Sequence, residues 1–460
     1  MKDFSTISPL LTSSFPAALG FKSSRSRNDQ KDLISIPNIP VNQLIAQEVS
    51  QPETEDSFFV ADVGEVYRQL VQWESLFPDV KPFFAIKSNP DPIFLRLLAN
   101  LGTGFDCASK NEIQCVLNYG VNPSRIIFAN PCKPSSHIRF AAAHGVLKMT
   151  FDNVDELHKI KKFCPQAQVV LRILTDDSKS VCQFGIKFGA SLIAAQELVA
   201  TAHQLGLDLI GVSFHVGSGC FDGESYCDAI HRARVVFDAA AELGYKLHLL
   251  DIGGGFPGAN TKDGSISLES IADAVHRAMV LYFPEGGIEL ISEPGRYFVA
   301  SALTLSCNVT SLRSEPRDNV KISASNIADT IDCDIVSKDD HPTFKYYIND
   351  GVYGSFNCIM FDHAVIVPKV LKYRDTLVHE AGVSVSEPLY ESSVWGPTCD
   401  SLDVITKSCF LPALAVGDWL YFSDLGAYTI CAASEFNGFN KSRVIYTNTE
   451  ASAVNARLNL

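Results

Sequence analysis

Between about Lys81 and Arg296 the chain alternates short β-branched or aromatic runs with longer stretches whose apolar side chains recur every three or four positions. The first pattern predicts strands and the second helices, so the two together predict repeated βα units. The strand candidates are Pro82–Ile86, Gly104–Asp106, Arg125–Ala129, Leu147–Phe151, Gln168–Leu174, Leu209–Phe214, Leu247–Ile252 and Ile288–Ser292. Helical stretches lie between them, among them Pro92–Leu101, Lys110–Tyr119, Ser191–Leu205, Tyr226–Leu243 and Leu268–Tyr282. Eight such units in roughly 220 residues fit a (β/α)8 barrel of the α/β class.

After Ala302 the pattern becomes strand-like alternation broken by turn residues, as in Phe344-Lys345-Tyr346-Tyr347-Ile348 and Asp418-Trp419-Leu420-Tyr421-Phe422. That texture predicts an all-β domain. The expected organisation is a flexible extension over 1–35, a segment over 36–62 that joins the β domain, a barrel over 63–302 and the β domain over 303–460. The polar stretch Ser314–His341 is expected to be a surface insertion.

Composition narrows the function classes. The 460 residues are 46% hydrophobic and 20% charged, as in a soluble globular protein. No apolar run approaches the ~18 residues of a membrane span. A formal charge of -14 argues against nucleic acid or an anionic membrane as partner and suits a small cationic ligand. The 13 cysteines include no C-x-x-C pair, so neither a disulfide framework nor a metal site is expected, and a reducing compartment is. The serine-rich, acid-poor first 30 residues have the character of a transit peptide or of a disordered extension. The location expected is the cytoplasm, or a plastid if that segment is a transit peptide.

A barrel gathers its reactive groups at the C-terminal ends of its strands. Lys87 follows the first strand, Asp106 ends the second, Arg172 lies near the end of the fifth and His215 ends the sixth. Gly253-Gly254-Gly255 follow the seventh and Glu293 the eighth. Lysine in an apolar strand end is suited to a Schiff base with an aldehyde, because apolar surroundings depress the amine pKa. The glycine run lets backbone N–H groups approach an anion. Glu293-Pro294-Gly295-Arg296 adds a carboxylate, an open backbone and a guanidinium suited to phosphate. Together these groups suit pyridoxal 5'-phosphate: Lys87 for the aldehyde carbon, Glu293 for the ring nitrogen, His215 for the ring face and Ser218 for the phosphate.

At the level of motifs the sequence resembles the eukaryotic-type ornithine decarboxylases, whose fold is alanine-racemase-like, from about residue 40 to 450. The matching stretches are Pro82–Asn89, Gly102–Ser109, Phe214–Cys220, Asp251–Gly258, Glu293–Tyr297, Asn349–Phe356, Gly396–Asp403 and Gly426–Thr429. The resemblance implies a head-to-tail homodimer with active sites shared across the interface. One subunit would give Lys87, Asp106, Arg172, His215, Ser218, Gly254, Gly255, Glu293, Gly295, Arg296, Asp362 and Tyr428. The other would give Cys399 and Asp400. Cys399 would return a proton to the α-carbon after carbon dioxide leaves, while Asp362 and Asp400, with Phe361 and Phe436 beside them, would receive the distal ammonium of the substrate.

Phe361 stands where animal-type members carry tyrosine, and plant-type members that also accept lysine have an aromatic residue near this place. One methylene supports only ~10 to 200-fold discrimination, so turnover of both ornithine and lysine is expected. Two other readings remain: decarboxylation of another basic amino acid such as diaminopimelate, and an inactive homologue that regulates decarboxylases. The acidic pair Asp362 and Asp400 speaks against the first, and the presence of both Lys87 and Cys399 against the second. No acidic or Pro/Ser-rich degradation tail follows the β domain, so regulation through one is not expected.

Overall fold

Five consecutive buried residues form strand β1 (Phe58–Asp62), and Asp62 then caps the following helix, Val63–Leu76, by accepting the Gly64 N–H. The structure, a computed structural model, describes residue 33 and residues 35–51, 53–258, 266–315, 342–378 and 387–458. The Ser-rich N-terminus and nearly all of the Ser314–His341 stretch lie outside the described residues.

The chain next builds β2 (Val80–Ala85), β3 (Gly104–Cys107), β4 (Ile126–Phe128), β5 (Lys148–Phe151) and β6 (Gln168–Arg172). After them come β7 (Ser180–Cys182), β8 (Asp208–Ser213), β9 (Ser218–Cys220), β10 (Leu249–Asp251) and β11 (Glu289–Ser292). Strands β2 to β6, β8, β10 and β11 close into a parallel barrel. Phe83, Ile127, Val170, Ile210, Leu249 and Ile291 pack together as an apolar cluster fed by six of its strands. The barrel interior is therefore a filled core, and the chemistry is left to its rim.

Local chemistry sets the helix ends. Asp91 accepts the N–H groups of Ile93 and Phe94, Pro92 begins the helix, and Gly102 at φ 95° ends it. Two expectations shift. The Pro82–Ile86 run stops at Ala85, and Ile86–Ser88 curls into a single 3-10 turn that carries Lys87 off the strand. The antiparallel ribbon of β7 and β9, beyond the ends of β6 and β8, had no sequence signal, because three-residue strands show no period.

The remaining strands are β12 (Leu303–Glu315), β13 (Thr343–Ile348), β14 (Lys369–Tyr373), β15 (Thr376–Leu377), β16 (Tyr390–Trp395), β17 (Val404–Leu411), β18 (Trp419–Phe422) and β19 (Arg443–Thr447). They form one sheet in the order β15-β14-β18-β12-β13-β16-β17, with β1 paired antiparallel to β12 and parallel to β19. The fold is thus a (β/α)8 barrel with a separate, largely antiparallel β domain.

A buried ion pair braces the loops after β4 and β5. Lys133 Nζ reaches Glu156 at 3.0 Å and donates to the carbonyls of Thr150 and Asn130. Replacing Lys133 with methionine strands a buried carboxylate, so unfolding by denaturant is expected to show a loss of about 3 kcal/mol. The figure lies at the low end for a broken buried pair because Lys159 still contacts Glu156 at 2.5 Å.

Candidate active site

The 3-10 turn after β2 aims Lys87 across the barrel rim, where Nζ donates to Asp106 Oδ2 at 2.6 Å. Asp106 is the penultimate residue of β3, with 1% of its side chain exposed, and its second oxygen has no hydrogen-bond partner among the described residues. The Lys87 side chain is 44% exposed. Burial pulls the ammonium pKa down, yet Asp106, Glu293 and Tyr428 together hold it above the ordinary lysine value. This corrects the expectation of a depressed amine: the strand is apolar, but the rim beside it carries carboxylates.

Those carboxylates form a buried group. Burial raises Glu293 well above the usual range, and Asp251 and Asp106 push it further. Asp251 is raised too, chiefly by burial, although it accepts the Gly253 N–H at 2.9 Å. Glu293 and Asp251 act directly on each other, so their protons come off as those of a pair rather than of either residue alone. Lys87 and Arg172 are the cations that act on this pair, and the Arg172 guanidinium lies over the Phe188 ring at 5.2 Å.

His215 lies half-buried beside them, and desolvation followed by Arg172 and Lys87 pushes its pKa well below the histidine range. The imidazole is therefore neutral, and Nδ1 accepts the Gly217 N–H at 3.0 Å. Its other nitrogen faces Gly254, where an added Cβ would sit 2.9 Å from Nε2. At Gly255, φ is 109° and a Cβ would lie 2.7 Å from the Gly217 carbonyl, so only glycine is unstrained there. Gly295 packs its bare Cα against Ser88 and Ala85, beside the lysine turn.

A basic corner faces the glycines. Arg296 Nη2 donates to Ser218 Oγ at 3.1 Å and to Asp362 Oδ1 at 2.6 Å, and its guanidinium lies 5.1 Å over the Tyr428 ring. Tyr428 adopts φ 56° and donates its N–H to the Ser88 carbonyl at 2.8 Å. Asn89 donates to the Gly426 carbonyl at 2.8 Å. The β domain is thereby fastened to the barrel next to Lys87.

Lys87, Asp106, Arg172, His215, Ser218, Gly254, Gly255, Glu293, Gly295, Arg296, Asp362 and Tyr428 thus gather in one connected group at the barrel rim, with exposed Phe361 just before Asp362. Cys399, Asp400 and Phe436 sit elsewhere. Cys399 is exposed, Asp400 accepts the Tyr353 hydroxyl, and Phe436 stacks on Tyr353 at 4.2 Å between ring centroids. Among the described residues no hydrogen bond or ion pair joins these three to the barrel cleft. Sequence reasoning passed over Asp251, although it ends a barrel strand, at the rim where Asp106 also lies. It also passed over Tyr226, whose hydroxyl donates to the Gly254 carbonyl from a helix that carries no motif.

A family model described as the pyridoxal binding domain of pyridoxal-dependent decarboxylases matches residues 63–300. The chain is 49% identical over 419 residues to the ornithine decarboxylase of Neurospora crassa, covering 89% of this chain and 84% of that protein. The chain belongs to the eukaryotic-type ornithine decarboxylase family of pyridoxal-dependent decarboxylases. It is also 49% identical over 408 residues to antizyme inhibitor 2 of Xenopus laevis, covering 88% of this chain and 84% of that one. Among solved structures it resembles the arginine decarboxylase of Paramecium bursaria Chlorella virus, with a TM-score of 0.77 and 34% identity over 88% of this chain and all of that one. The lysine/ornithine decarboxylase of Vibrio vulnificus, complexed with cadaverine, gives 0.74 and 30% over 88% of this chain and 98% of that one.

The family's cofactor is pyridoxal 5'-phosphate, and the donor set suits it. Three buried carboxyls outnumber the two cations that face them, an imbalance that a protonated ring nitrogen would correct. Among the described residues the N–H groups of Gly254 and Gly255 have no protein acceptor. With Arg296 and Ser218 they make a cradle suited to a phosphate, and a Cβ at Gly254 would collide with the His215 ring and the Glu293 carbonyl beside it.

Proposed function

We propose that the chain decarboxylates L-ornithine to putrescine, and also L-lysine to cadaverine, as a homodimer. The observation that carries this reading is the convergence of Lys87, Glu293 and the Arg296–Ser218 corner on one cleft, with Asp362 at its edge. Lys87 would hold the aldehyde carbon of the cofactor, Glu293 would keep its ring nitrogen protonated, and Arg296, Ser218, Gly254 and Gly255 would hold its phosphate. When bound, pyridoxal phosphate supplies an electron sink for the pair left on the α-carbon as carbon dioxide departs. Neutral His215 would cover the ring face without adding a charge that competes with the ring nitrogen, and Tyr428 and Arg172 would complete the walls.

The substrate's distal ammonium calls for carboxylates, which Asp362 offers from this chain and Asp400 of the partner subunit would offer across the interface. Cys399 of the partner subunit would deliver a proton to the α-carbon. An apolar, solvent-facing patch of Met360, Phe361, Val365 and Val367 beside Asp362 supports a covering subunit. The described cysteines are free thiols, which fits the reducing cytoplasm as the location. No helix among the described residues is long and apolar enough to cross a membrane.

Lysine use rests on Phe361, which puts no hydroxyl on the wall beside Asp362. In a competition assay with both amino acids, wild type is expected to yield cadaverine as well as putrescine, and Phe361→Tyr to change the ratio by about 10-fold or less. Absence of cadaverine from wild type would remove lysine from the reading and leave ornithine.

A further inference from the structure

The loop that carries Cys399 and Asp400 is held by a buried aspartate that the chemistry above does not use. Asp403 is 1% exposed. Its Oδ1 accepts the Val352 N–H at 2.8 Å, and its Oδ2 accepts the Thr398 N–H at 3.0 Å and the Thr398 hydroxyl at 2.7 Å. The Thr398 hydroxyl in turn accepts the Asp400 N–H at 3.4 Å. Backbone bonds close the same loop: Gly396 donates to the Asp403 carbonyl at 2.9 Å, and Asp403 donates to the Asp400 carbonyl at 3.1 Å.

Two glycines make room for this carboxylate. A Cβ on either Gly351 or Gly396 would fall 2.2 Å from Asp403 Oδ1, so any side chain at either position would displace it. Gly351 belongs to the turn that leads to Tyr353, whose hydroxyl donates to Asp400. That turn is anchored from its other side by buried Asp350, which accepts the N–H groups of Gly351 and Ser355, each at 2.8 Å. Asp403 therefore joins two loops, one presenting Cys399 and Asp400 and one presenting the tyrosine that orients Asp400.

We propose that Asp403 is a positioning residue for decarboxylation: its carboxylate fixes the Gly396–Asp403 loop so that Cys399 and Asp400 meet the active site they complete. The inference rests on the reading that this loop serves the active site of the second subunit. A buried acceptor of three hydrogen bonds is hard to replace, because alanine leaves the Val352 and Thr398 N–H groups unpaired and asparagine can satisfy only part of the set.

The test uses the cofactor-loaded dimer. Asp403→Ala is expected to lower kcat/KM for ornithine at least about 100-fold and Asp403→Asn about 10-fold, with the cofactor absorption band and dimer retained. Thr398→Val, which keeps the backbone and removes one donor, should cost about 10-fold and covers the case in which Asp403→Ala fails to fold. Mixed dimers then locate the effect. Pairing Lys87→Ala subunits with Asp403→Ala subunits should restore about a quarter of wild-type activity, because random pairing assembles one intact site in each hybrid dimer. The control pairs Lys87→Ala with Cys399→Ala. Recovery in the control but not with Asp403→Ala overturns the positioning role and leaves shared sites standing. Recovery in neither overturns the shared-site reading and the inference with it. Wild-type kcat/KM in all three loop variants also overturns the inference.

Discussion

Lys87→Ala is expected to lose at least about 10,000-fold in kcat and to lose the visible absorption band of the bound cofactor. The loss has two separable parts. Alanine removes the amine that would hold the aldehyde, and it also removes the ammonium 2.6 Å from Asp106, a carboxylate whose other oxygen is already without a partner among the described residues. Lys87→Arg separates them. Arginine restores a cation beside Asp106, but its guanidinium stays protonated and cannot add to an aldehyde. The arginine variant should therefore melt close to wild type while remaining as inactive as alanine. Activity in Lys87→Arg within 100-fold of wild type would show that this residue acts only as a charge.

Glu293→Gln is the second large effect. Glutamine fills the same space but cannot hold a proton on a ring nitrogen, so kcat is expected to fall about 100 to 1,000-fold with KM little changed. The substitution also has a signature in protein stripped of cofactor. Burial and the facing Asp251 hold Glu293 above its unfolded value, so its proton favours the folded state below the ordinary carboxylate range near about 4. That contribution is lost as pH rises through the raised folded value. Glu293→Gln removes one partner of the pair, so its melting temperature should fall less than that of wild type between pH 5 and pH 8. Equal slopes in the two proteins would mean that Glu293 and Asp251 do not titrate as a pair.

The barrel was legible in the sequence because buried parallel strands read as short apolar runs and their helices as periodic ones. All eight expected runs coincide with barrel strands to within a few residues, and Leu268–Tyr282 is helical from end to end. The candidate site at the rim was legible for a related reason: Lys87, Asp106, Arg172, His215 and Glu293 each stand where an apolar run gives way to polar residues. The state of the lysine was not, because its ammonium is governed by Asp106, nineteen positions away in the chain but 2.6 Å away in space. Asp403 was equally hidden. Its motif, Gly396–Asp403, was recognised, but an aspartate that anchors a loop and one that binds substrate look alike in sequence. Only the burial of Asp403 and its three hydrogen bonds, against the two accepted by a partly exposed Asp400, separate them.

The most direct test of the account supplies L-ornithine labelled at its carboxyl carbon to the purified protein loaded with pyridoxal phosphate. Labelled carbon dioxide and an equal amount of putrescine are expected from wild type, and neither from Lys87→Ala. No labelled carbon dioxide from wild type, or an undiminished yield from Lys87→Ala, would contradict the account.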